Sequence, residues 1–91
     1  MTTNEIFATL ESKKLNTEFF WKKEYDNGTT LCEYKLFESE KNKPFAFMQF
    51  GAFNNSGEII GISVTSADDM INPIDCETME VFGNVLDNLM N

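Results

Sequence analysis

At 91 residues the chain makes one domain, residues 1–91, with room for a single core. Apolar residues are 42% of it and nine are Phe, which excludes a disordered chain. Fifteen acids against seven lysines set the net charge at −8, with no Arg and no His. That removes the bidentate reader of phosphate and the side chain that titrates near neutrality, and it argues against nucleic-acid binding, acid–base catalysis and a metal centre.

No stretch of about 18 apolar residues occurs, so no membrane contact is expected. The Met1–Glu5 segment lacks the basic-then-apolar order of a signal peptide, and a cytoplasmic location is expected. Cys32 and Cys76 then read as free thiols rather than a disulfide framework.

In chain order, Thr2 followed by Glu5 fits a capping box and opens a helix over about residues 3–14. Ile6, Phe7 and Leu10, with the stem of Lys14, form its apolar stripe. Leu15-Asn16-Thr17 breaks the helical pattern.

Four runs rich in aromatic and β-branched residues follow, each bounded by turn chemistry. They are Glu18–Tyr25, closed by Asp26-Asn27-Gly28, then Thr29–Glu38, closed by Ser39–Lys43, then Phe45–Phe53, closed by Asn54-Asn55-Ser56-Gly57, and last Glu58–Ser66. Turns this short join antiparallel neighbours, so a four-stranded meander is expected.

Asp75 reads as the N-cap of a second helix reaching about Met90. Met79, Phe82, Leu86, Leu89 and Met90 share one side at helical periodicity. The fold expected is α+β, in the order helix, four strands, helix, with both helices on one sheet face.

Two features could carry function. The first is charge asymmetry, because no basic residue follows Lys43 while Glu58, Asp68, Asp69, Asp75, Glu77, Glu80 and Asp87 do. Residues 58–91 therefore carry −7, and residues 1–57 carry −1, from seven lysines against eight acids. Asp68, Asp69, Asp75, Glu77, Glu80 and Asp87 are the expected contacts to a basic partner protein.

The second feature is a sheet that is apolar on both faces. Phe45, Phe47 and Phe53 alternate with Ala46, Met48 and Phe50, and two helices can cover only one of these sets. Phe37, Phe45, Phe47 and Phe53 are the expected interface of an open face, for a homodimer or a partner.

Lys43-Pro44-Phe45-Ala46-Phe47-Met48-Gln49-Phe50 resembles the aromatic RNA-binding strand of an RRM. Here Pro44 stands for the Gly and Met48 for the Val, the element order differs, and the charge opposes RNA. Alternating Phe in this run reads as core.

Chemistry is thin elsewhere. Asp68, Asp69 and Asp75 lack calcium-loop spacing and read as turn and cap residues. Gly51, Gly57 and Gly61 have no phosphate-cradling spacing and read as turn or bulge glycines. Cys76 lies between Asp75 and Glu77, with no His to act as base.

The expectation is a non-enzymatic acidic inhibitor of a basic or nucleic-acid-binding protein, needing no cofactor. Nuclease immunity proteins, antitoxins and phage anti-defence proteins, anti-CRISPRs among them, are analogues in size and charge only. The alternative is a homo-oligomeric or small-ligand module built on the open sheet face.

Overall fold

The computed structural model describes residues 1–90. The element order is α1 (Thr3–Ser12), β1 (Asn16–Glu24), β2 (Thr29–Phe37), β3 (Ala46–Phe53), β4 (Ile59–Ser66), β5 (Ile74–Asp75) and α2 (Met79–Leu89). The five strands form one antiparallel sheet in chain order, so the expected meander gains a fifth, two-residue strand.

The capping box is formed: the Glu5 N–H donates to Thr2 Oγ1, and the Thr2 N–H donates to a Glu5 carboxylate oxygen. The helix ends earlier than the apolar stripe suggests. Lys14 adopts a left-handed backbone at φ 59° and is exposed, so its stem adds nothing to the core. The Lys14 and Leu15 N–H groups donate back to the Glu11 and Leu10 carbonyls, the double closure of a Schellman motif. Leu15 then turns inward and is buried.

β3 sets the layering. Ala46, Met48, Phe50 and Ala52 are buried, and the residues between them are not. They join Cys32, Leu36, Ile62 and Val64 of the flanking strands in one cluster with Ile6 and Leu10 of α1 and Phe82 and Leu86 of α2. Both helices therefore bury their apolar stripes against this one sheet face. Phe7, Tyr34 and Phe50 extend the layer as an aromatic group, with Phe19 of β1 edge-on to Tyr34 at 5.7 Å.

Asp75 does not cap α2. It belongs to β5, opposite Ser63, and Thr78 is the cap, its hydroxyl accepting the Val81 N–H at 3.1 Å. The backbone bridge to β4 holds Asp75 extended four residues before the helix begins at Met79, so the cap falls to the next residue with a suitable side chain. Among the described residues no helix is long and apolar enough to cross a membrane.

Candidate partner-binding surfaces

The sheet face away from the helices is open. Strand register places Leu31, Glu33, Lys35 and Phe37 of β2 on it, beside Phe47, Gln49, Gly51 and Phe53 of β3. Phe37 and Phe47 are half-buried there, and Phe53 is exposed at the strand end. Phe45 is not part of this face. It precedes β3, where the alternation begins, and packs against the core cluster, sharing a hollow with Leu89.

A groove runs along the open face. Gly51 and Gly61 lie opposite each other across β3 and β4, and a bulge follows Gly51. A Cβ on Gly61 would meet nothing within 4 Å, so two bare backbone stretches form a floor. Tyr25, Leu31 and Ile60 supply apolar walls, while Gln49, Ser63 and Asp75 supply the polar atoms. The space is about 430 Å³, within the range of small-molecule sites. Asp75 is the one charged side chain lining it.

The predicted acidic residues separate into groups. Asp87 is ion-paired within the chain: its carboxylate takes the Lys13 ammonium at 2.7 Å and so links α2 to α1. Glu58 is engaged likewise by the chain's amino group at 3.1 Å. Asp69 accepts both its bonds from the Asn72 amide, at 3.0 and 2.8 Å, which braces the loop between β4 and β5. Asp68, Asp75, Glu77 and Glu80 are exposed. Among the described residues, no cation lies within ion-pair distance of these four or of Asp69.

The braced loop carries a feature that sequence reading missed. Met70 and Ile71 project from it into solvent, Ile71 with 86% of its surface exposed. The signal was available: two large apolar residues inside a turn-rich acidic segment have no periodicity to draw them into a core.

The two thiols are buried and unbonded to each other. Burial pushes both above the ordinary thiol value; nearby Lys22 partly offsets this at Cys32, and the Asp75 charge adds to it at Cys76. Both are therefore held as neutral thiols, the opposite of what nucleophilic or metal-binding cysteine needs. Among the described residues, no three His, Cys, Asp or Glu side chains group closely enough to hold a metal ion.

No protein-family model, no curated protein and no solved structure matches this chain.

Proposed function

We propose that the chain is a non-enzymatic protein-binding module that docks on a basic, nucleic-acid-binding partner and blocks it by occupying the surface its nucleic acid would use. The observation that carries this reading is the state of the seven acids in residues 58–91. Among the described residues, Glu58 and Asp87 alone of these acids are ion-paired, to the amino terminus and Lys13, and no cation lies against Asp68, Asp69, Asp75, Glu77 or Glu80. Uncompensated charge of one sign accelerates encounter with a basic surface. Met70 and Ile71 beside Asp68 and Asp69 add an apolar anchor within a polar rim, the arrangement of a protein-binding hot spot.

The test is a salt series on the complex with a basic partner recovered from the native host, using wild type and a Glu77→Lys/Glu80→Lys variant. Association should slow steeply as salt rises, and the double variant should associate at least tenfold more slowly at low salt, with an unchanged melting temperature. Salt-independent binding that the double variant retains in full would rule the acidic surface out.

A second reading is favoured by the glycine-floored groove, whose single charge, Asp75, suits an amine-bearing ligand with an apolar body. The two readings separate at Gly61, on the floor of the groove.

A further inference from the structure

β1 ends the sheet on one side, so among the described residues the edge it turns away from β2 has no neighbouring strand. It is nine residues long, and only Trp21 among them is even partly buried. Phe19 and Phe20, at its middle, keep 53% and 52% of their surface exposed. The strand contains no Pro, and its exposure shows that neither helix covers it. An edge of this kind is a template for another strand unless charges or a bulge forbid it. β1 has both, and their arrangement decides what can pair.

The register with β2 fixes which way each β1 side chain points. Thr17, Phe19, Lys22 and Glu24 lie opposite Leu36, Tyr34, Cys32 and Thr30, on the helix side. Glu18, Trp21 and Lys23 lie opposite Lys35, Glu33 and Leu31, on the open side. Phe20 is the extra residue of a bulge between Phe19 and Trp21, and its ring lies under the Lys35 ammonium at 5.1 Å, also on the open side. The bulge therefore reverses the alternation halfway along the strand.

We propose that β1 pairs antiparallel with β1 of a second copy, about a two-fold axis between Phe20 and Trp21. In that register Glu18 of each copy faces Lys23 of the other on the open side. Phe20 faces Trp21 on the same side, and Phe19 faces Lys22 on the helix side, an aromatic–cation pair. Each opposed pair shares a face only because the bulge has reversed the alternation. A slip of one residue sets Glu18 across from a residue of the other face.

Charge selects a second copy over a foreign strand. The four charges of β1, Glu18, Lys22, Lys23 and Glu24, sum to zero; Lys22 and Glu24 pair within the strand at 3.6 Å, and the two-fold sets Glu18 against Lys23 twice. The −7 of residues 58–91 begins next to β4, with β2 and β3 between it and β1, so two acidic chains can meet here with little mutual repulsion. The contact is independent of the acidic-surface reading, and it leaves that surface open in both copies.

The test uses the full chain alone, by sedimentation equilibrium and amide hydrogen exchange over rising concentration. Wild type should dimerise, with amide protection in residues 16–24 growing as dimer forms. Lys23→Glu sets like charges against each other in both symmetric pairs and should weaken the dimer about tenfold or more. Lys23→Gln should fall between, and Glu18→Lys/Lys23→Glu should recover affinity relative to Lys23→Glu. Circular dichroism checks that each variant folds, as expected for an exposed residue. A wild type that stays monomeric to millimolar concentration overturns the proposal. So does a dimer indifferent to Lys23→Glu, or one whose newly protected amides lie in β3 and β4.

Discussion

The Lys13 ammonium lies 2.7 Å from the Asp87 carboxylate, joining the C-cap of α1 to the last turns of α2 across 74 residues of chain. The Lys13 stem also passes over Gly83, where a Cβ would sit 3.8 Å from its Cε. Lys13 is mostly buried and Asp87 mostly exposed, so the pair is screened from one side. Asp87→Asn should cost about 0.5–1 kcal/mol and lower the melting temperature by a few degrees, by calorimetry. Glu80→Gln, on the same helix without a cation, should leave it unchanged.

Phe82 is fully buried where α2 meets the cluster formed by β3 and β4. Phe82→Ala should cost on the order of 3–5 kcal/mol, a large part of the stability of a domain this size. Val81, its exposed neighbour, should tolerate Ala within about 0.5 kcal/mol. Urea denaturation of the two variants checks the contrast.

Gly61→Val separates the groove from the acidic surface. A Cβ there would meet nothing within 4 Å and Val suits a strand, so the fold should be kept. It would nevertheless fill the floor between Leu31, Ile60 and Asp75. A module that uses the groove should lose at least tenfold in affinity for its ligand or partner. One that binds through Glu77, Glu80 and the Met70–Ile71 loop should bind as wild type, by titration calorimetry.

Burial raises the pKa of Cys32, Cys76 and Tyr34, so the folded state favours their neutral forms. For the thiols, the stability gained this way is fully present below the ordinary value of 9.0 and is lost as pH rises through it toward the raised folded value. Urea midpoints should therefore hold steady near neutral pH and fall above about pH 9. Native thiols should react slowly with a thiol reagent at neutral pH and rapidly once denatured.

Much of the fold was legible because its punctuation is local. Thr2 with Glu5 marked the first helix start, and Asp26-Asn27-Gly28 and Asn54-Asn55-Ser56-Gly57 marked two hairpins. Asp75 misled because it and Thr78 are both good caps, and only the tertiary bridge to Ser63 decides between them. A two-residue strand has too little alternation to announce itself. Lys14 misled because the helical period continues through a residue that the backbone turns left-handed.

The candidate surfaces were less legible. The acidic residues could be counted, yet Asp87 is spent on Lys13, a pairing set by how two helices from opposite ends of the chain pack. Gly51 and Gly61 read singly as turn or bulge glycines, and a bulge does follow Gly51. That they face each other across two strands, leaving a floor between Tyr25, Leu31 and Ile60, depends on register. Phe45 belonged by parity to the open face, but parity starts one residue later.

Strand order that equals chain order has a consequence for the route by which the chain folds. Each strand finds its partner through the next turn along, so hairpins can zip in succession at low loop-closure cost. The helix layer cannot, because α1 and α2 come from opposite ends and meet only when the sheet between them exists. Contacts such as Lys13 to Asp87 are therefore expected to form late, so Asp87→Asn should raise the unfolding rate more than it lowers the folding rate, by stopped-flow kinetics.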